Sequence, residues 1–221
     1  DRGVGQDIVT VVVLVEGEED VAFIATHLHL TGEWKTFRRN GCHFVVAGGK
    51  NNMPRLLAIT QELEIPTFVV CDSDMETVLR KLRQAEELQE NDSSRADKIT
   101  SRRGELEKQK EINMAIAGLC DLKIEDSSNC ETIQGDKIVM WRDTIEAEVK
   151  RTFGEGEWAE AQDTIVATYG FEHVREKKKN GMVIAATLEE LHKRGKQSSA
   201  LIDLCGRISQ YAQRVESGRS T

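Results

Sequence analysis

Apolar positions along this chain fall into two periods that take turns. The run "IVTVVVLV" at 8–15 is continuous and rich in β-branched residues, the pattern of a strand buried on both faces, as in a parallel sheet. Val21, Ile24, Ala25 and Leu28 then recur at helical spacing and predict a helix that covers the sheet. "HFVVAGG" at 43–49 reads as a second strand with a glycine-rich exit, and "NMPRLLAITQELE" as the next helix, with Leu56, Leu57 and Leu63 available for burial. "IPTFVVCDSD" at 65–74 gives a third strand that ends on acid. The order is β-α-β-α-β, whose short connections imply parallel strands and right-handed crossovers.

After Asp74 the pattern changes. Residues 76–111 hold nine Lys or Arg against nine Asp or Glu, with no aromatic residue and no proline, while Met75, Val78, Leu79 and Leu82 keep a narrow helical stripe. This predicts a charged arm of two helices broken near "ENDSSR". Strand texture returns at "KIVMW" (137–141), followed by "RDTIEAEVKRTFG", where Ile145, Val149 and Phe153 share one helical face and Gly154 can end it. Beyond 155 two further stripes, Trp158, Ala161, Ile165, Tyr169 and Leu201, Leu204, Ile208, Tyr211, predict helices. The fold class is therefore α/β: a parallel sheet flanked by helices, with an inserted helical arm and a helical C-terminal tail. Residues 1–75 with 119–221 form the expected main domain, and 76–118 the arm.

Composition narrows the function. The 221 residues suffice for one sizeable core, since a domain usually takes roughly 100–200. With 30 basic against 38 acidic residues the formal net charge is −8, so nucleic-acid binding has to come from local basic residues or bound cations. The longest apolar run, Ile8 to Val15, is far short of the roughly 18 residues of a membrane span, which predicts a soluble protein with no membrane partner. Cys42, Cys71, Cys120, Cys130 and Cys205 form no CxxC pair and fit free thiols in a reducing cytoplasm. The chain opens on Asp1 without Met, and a piece of something longer is expected.

Acidic residues gather where an open parallel sheet places its functional groups, beyond the carboxyl ends of the strands. Glu16 with Asp20, Asp72 with Asp74, and Asp143 with Glu146 follow three of the proposed strands. Each has a structural reading too. Glu18 and Glu19 suit a helix N-terminus, either aspartate of the "DSD" can cap a helix, and Asp143-Thr144-Ile145-Glu146 resembles a capping box in which Glu146 also reaches Lys150. Carboxylates converging at one sheet edge, however, repel one another and raise one another's pKa unless a cation neutralises them. Hard oxygen ligands select Mg²⁺ or Mn²⁺.

The combination of "VEGEED" after the first strand, a Gly-containing turn after the second and "DSD" after the third resembles the Toprim domain of bacterial primases, topoisomerases and some nucleases. Asp20 four residues after Glu16, the long insertion after the DxD and the later "WRDTIE" are similar to the overcoming-lysogenisation-defect (OLD) family of nucleases. The likeness covers 8–74, and 137–153 more loosely. It implies a Toprim-like fold and a divalent-metal-dependent endonuclease that cuts DNA with little sequence specificity. The family's glutamate falls on Glu16 and its DxD on Asp72 and Asp74, while Asp20 and Glu146 match acidic positions of a two-metal site holding two Mg²⁺ or Mn²⁺ ions. Thr144 occupies a place where a hydroxyl can complete the ligand set, in competition with Asp143. Two ions roughly 4 Å apart clamp a phosphodiester. Lys196 is the expected phosphate-side lysine, with Lys178 and Lys179 as alternatives. The resemblance also implies an ATPase domain ahead of this region in the full-length chain, and with it a possible homo-oligomer.

Other patterns carry less. "GGKNN" lacks the phosphate-loop spacing, so Gly48 and Gly49 are read as relieving crowding. The five histidines show no metal spacing, and surface or boundary roles are expected for His27 and His29. Tyr169 and Tyr211 fall inside apolar stripes, which argues against a strand-transfer nucleophile. Arg80, Lys81, Arg83, Arg102 and Arg103 are the arm's basic clusters and its candidate DNA contacts. Two rival readings are a phosphorylation-controlled receiver-like module, which the DSD pair, insertion and tail fit poorly, and a catalytically inactive Toprim module serving assembly.

Overall fold

Every side chain of the first strand, β1 (Val11–Val15), is buried, as a run without polar alternation requires. A computed structural model describes residues 10–88, 94–124, 131–170 and 180–219. In it β1 lies between β2 (Cys42–Val46) and β3 (Thr67–Asp72), parallel to both, and β3 pairs in parallel with β5 (Ile138–Trp141). A two-residue strand that the sequence pattern did not reveal, β4 (Ile133–Gln134), closes the edge antiparallel to β5. The order is β2-β1-β3-β5-β4.

The pleat divides the core between two helical layers. Val11, Val13, Val15, Phe68, Val70, Val139 and Trp141 face α1 (Glu18–Leu30), α6 (Ile145–Phe153), α7 (Glu155–Tyr169), α8 (Gly181–Lys193) and α9 (Ser199–Arg219). Val12, Leu14, Val69, Cys71, Ile138 and Met140 face α3 (Met53–Glu62) and the end of α5 (Arg95–Leu119). A short helix α2 (Trp34–Arg39) leads into β2, and α4 (Met75–Glu86) follows β3. Among the described residues no helix is long and apolar enough to cross a membrane.

Several stripes are rotated from the pattern read in the sequence. Besides Asp20 on its first turn, the buried side chains of α1 are Phe23, Ile24, His27 and Leu28, with Val21 and Ala25 half-buried, because α1 packs against α8 as well as the sheet. His27 is therefore a core residue, and burial lowers its pKa, favouring the neutral imidazole. Leu63 is exposed because it caps α3, just before Glu64 turns with positive φ. Tyr169 is 57 % exposed, its place taken by Val166, whereas Tyr211 packs against Phe68 with ring centroids 5.7 Å apart. Cys42, Cys71, Cys120 and Cys205 are free and buried, which raises all four thiol pKa values; Cys130 lies outside the described residues.

The charged hairpin is anchored rather than solvated along its length. Asn113, Ile116 and Ala117 of α5 are buried, so the helix ends inside the core of the second sheet face. Lys81 and Arg102 both reach Glu105, at 3.6 and 2.6 Å, and Arg103 reaches Glu86 at 3.5 Å. Lys81 and Arg103 thus tie α4 to α5, while the Arg102 pair lies within α5.

Candidate functional site

The parallel register brings the ends of β1 and β3 side by side, and each strand hands its last residues to a helix N-terminus. After β1 the chain turns through Glu16 and Gly17, and Asp20, on the first turn of α1, accepts a hydrogen bond from the Gly17 N–H at 2.8 Å. That bond turns the Asp20 carboxylate back toward the strand end, where it is 3 % exposed. Asp72, the last residue of β3, accepts from the Ile145 N–H at 3.1 Å, so the N-terminus of α6 docks on it. Asp74 adopts φ 59°, ψ 0°, the left-handed region that aspartate tolerates better than most residues, and its carboxylate meets the Lys50 ammonium at 3.3 Å. Between the two aspartates Ser73 is clamped: its N–H donates to the Trp141 carbonyl, its hydroxyl to the Arg142 carbonyl, and its own carbonyl accepts from Asn113 Nδ2 at 3.0 Å.

Burial and crowding dominate the electrostatics. Asp72 has a pKa raised well above the usual carboxylate range, first by burial and then by Asp20, Glu16 and Asp74, against the Ile145 N–H. Burial likewise pushes Asp20 up to about 7, opposed by the Gly17 N–H and reinforced by Glu19 and Glu16. Glu16 is raised by burial and Asp74, while Lys50 pulls it back. Its Oε2 is buried without a hydrogen-bond partner.

Four carboxylates with a bare buried oxygen among them form an all-oxygen donor set that suits a hard divalent cation. They are gathered but not closed: among the described residues no three acidic, His or Cys side chains stand in a ligand-ready arrangement. Their like charges repel one another, and Lys50 holds Asp74 at 3.3 Å.

A pH dependence follows for the metal-free chain. The folded state keeps the Asp20 proton up to about 7, whereas the unfolded chain releases it near 3.8. Its stabilising contribution is therefore full below 3.8 and lost as pH rises to about 7. Glu16 and Asp72 are raised as well and act with the same sign. Melting temperature in EDTA is expected to fall across that window, with a shallower fall in Asp20→Asn; equal slopes would mean that Asp20 does not hold its proton in the fold.

The third acidic group divides. Thr144 is the N-cap of α6, its hydroxyl accepting from the Ala147 N–H at 3.1 Å. This leaves Glu146 one position short of the capping-box partner, and it pairs with Lys150 at 2.7 Å instead. Asp143 accepts from the Thr77 hydroxyl at 3.1 Å. Lys196 sits between α8 and α9 with its ammonium on Glu157 at 3.2 Å, and among the described residues it makes no ion pair with the carboxylate cluster. Lys178 and Lys179 lie outside the described residues. Gly48 and Gly49 take φ 70° and 115°; a Cβ would find open space at Gly49 and only ordinary contact with Asn52 Nδ2, at 3.9 Å, at Gly48, so the turn's backbone, not crowding, requires glycine.

Two residues at the site had no motif to announce them. Lys50 was visible only as part of a failed phosphate loop, and Asn113 is hidden in a charged helix that would pass for surface. Asn113→Ala strips the Ser73 carbonyl of its donor, and a loss of about 1–3 kcal/mol in denaturant melts is expected. An unchanged midpoint would show that the contact does not hold the DSD loop.

Residues 9–74 match the family model described as "Overcoming lysogenization defect protein-like, TOPRIM domain". The match runs from the start of β1 to Asp74 and takes in Glu16, Asp20, Asp72 and the Lys50 turn, so this segment is a Toprim domain. It is of the OLD-like type that the acidic motifs had suggested. Among solved structures, the C-terminal region of the Xanthomonas campestris pv. campestris OLD protein is similar at 12% identity, with 96% of this chain and 98% of that one covered and a TM-score of 0.47. The C-terminal region of the Burkholderia pseudomallei OLD protein is similar at 12% identity, with 94% and 98% covered and a TM-score of 0.46. No curated protein sequence matches the chain.

Proposed function

We propose that this chain is a divalent-metal-dependent endonuclease unit that hydrolyses DNA phosphodiester bonds by a two-metal mechanism with little sequence specificity. The observation that carries it is the convergence of Glu16, Asp20, Asp72 and Asp74 at one edge of a parallel sheet, with the Glu16 Oε2 buried and unpartnered. Those four residues, with Thr144 and Glu146, would hold two Mg²⁺ or Mn²⁺ ions. When bound, such ions activate water and stabilise the attacking and leaving oxygens.

The chain's own residues set the conditions. The Ile145 N–H fixes the Asp72 carboxylate against α6, the Gly17 N–H fixes Asp20, and the Ser73 clamp fixes the backbone between Asp72 and Asp74. Burial keeps bulk water from screening these charges, so a divalent cation placed among them is attracted more strongly than at an open surface. Lys196 gives up little energy in leaving its half-exposed pair with Glu157 to turn to a phosphate. DNA is the macromolecular partner. By likeness to the family, an ATPase domain of the same full-length chain is the second, and the four buried free thiols fit a reducing, cytoplasmic setting.

Plasmid incubated with the chain and Mg²⁺ or Mn²⁺, against an EDTA control, tests the reading. Metal-dependent cutting without ATP is expected. A chain that binds both ions and plasmid yet never cuts would instead be the inactive assembly module.

The hairpin at 76–118 is proposed as an inserted arm that positions DNA. Arg80 and Arg83 are exposed, while Lys81, Arg102 and Arg103 can exchange Glu105 and Glu86 for phosphates. Replacing Arg102 and Arg103 together by Glu is expected to weaken DNA binding and flatten its salt dependence, with metal affinity unchanged. If neither moves, the arm is a packing element and DNA is held elsewhere, for instance by Arg175, Lys177, Lys178 and Lys179, which lie outside the described residues.

A further inference from the structure

Lys50 is the one cation buried against the carboxylates among the described residues, its side chain 5% exposed. The turn that carries it is built to send it inward. Ala47 N–H bonds the Val15 carbonyl and Gly49 N–H bonds the Glu16 carbonyl at 3.0 Å, lashing the exit of β2 to the end of β1. The positive φ values of Gly48 and Gly49 reverse the chain there, and Asn52 closes the turn by donating to the Ala47 and Gly48 carbonyls. Lys50 then opens a short 3₁₀ turn that runs into α3.

The ammonium emerges between strand ends, 3.3 Å from Asp74 Oδ2 and near enough to Glu16 to act on its charge. A buried ammonium is stable only where anions surround it, and buried carboxylates only where a cation does. We propose that Lys50 is a built-in counter-cation of the carboxylate cluster, holding Asp74 in the metal-free protein and competing with the divalent ion for it. Metal binding then requires Asp74 to exchange partners, and the resident positive charge sets the affinity lower than the carboxylates alone would give. The inference rests on the metal-site reading above.

The test is Mn²⁺ binding by calorimetry, with melting curves in EDTA and in Mn²⁺, for the wild type, Lys50→Gln and Lys50→Arg. Loss of the charge is expected to tighten Mn²⁺ binding by about tenfold or more, since a fixed like charge at ion-pair distance opposes the incoming cation. In EDTA the Gln variant melts lower than wild type, because Asp74 and Glu16 repel unopposed, and Mn²⁺ raises its melting temperature by more. The Arg variant keeps the charge and binds Mn²⁺ like wild type, an outcome that loss of packing alone would not produce. If wild type binds and Lys50→Gln binds no tighter, the counter-cation is overturned while the metal site stands. Should neither chain bind, both fall; should only the Gln variant bind, Lys50 is the block itself. If Lys50→Gln is unfolded in EDTA, Mn²⁺ has to restore its melting transition, and failure to do so also overturns the proposal.

Discussion

Asp72→Ala and Asp74→Ala are each expected to abolish metal-dependent cleavage, a loss on the order of a thousandfold or more, because a ligand to catalytic ions carries several kcal/mol of transition-state stabilisation. Their effects on stability are expected to differ. Asp72 is crowded by Asp20, Glu16 and Asp74, so its removal relieves repulsion in the metal-free chain and offsets the lost bond from the Ile145 N–H. The melting temperature of Asp72→Ala in EDTA is expected to stay level or rise. Asp74 holds a left-handed backbone and neutralises Lys50, so Asp74→Ala adds strain of roughly 1–2 kcal/mol and leaves a buried ammonium with less compensation. Asp74→Asn keeps the backbone preference and is the cleaner test. Initial rates at limiting Mg²⁺ check the first claim, and a variant cutting at the wild-type rate would remove that aspartate from the site. Glu16→Gln belongs to the same series, since Gln preserves size while discarding the negative charge on the unpartnered oxygen.

What the sequence made legible follows from range. Val11 to Val15 could be recognised as a doubly buried strand because burial on both faces removes polar alternation within a few residues. The acids at strand ends were legible for the same reason: Glu16, Asp72 and the start of α6 each follow a local apolar run, and parallel pairing alone brings their ends together. Contacts set by tertiary placement were not legible. Lys50 and Asp74 are 24 residues apart, and Asn113 and Ser73 are 40 apart, so no spacing announces either pair. Asn113 also sits where the hydrophobic stripe of α5 begins only at its last turns, after a long charged stretch. β4 has two residues, too few to show any period. Tyr169 continues a helical spacing correctly yet is the last residue of α7 and more than half exposed, so the spacing alone did not place it in the core.

Glu146→Gln separates a helix-stabilising role from a catalytic one. The sequence allowed a capping box, in which Gln serves nearly as well as Glu, but the N-cap falls on Thr144 and places Glu146 at the second helical position. What remains for a purely structural Glu146 is its pair with Lys150 at 2.7 Å, whose ammonium also lies over the Trp158 ring. An i,i+4 pair of this kind contributes about 0.2–0.5 kcal/mol, so Gln is expected to lower the melting temperature only slightly. Glu146 stands one residue beyond the N–H that binds Asp72, on a helix end docked against the carboxylate cluster. As a ligand it would exchange Lys150 for the second ion, and its loss is expected to reduce the cleavage rate by about a hundredfold or more and to weaken Mn²⁺ binding. Lys150→Gln is the control: it breaks the same ion pair while leaving the carboxylate in place, so near-wild-type cleavage is expected. Equal activity in wild type and Glu146→Gln, with equal Mn²⁺ affinity, would leave Glu146 as the partner of Lys150 alone and place the second ion among Glu16, Asp20, Asp72 and Asp74.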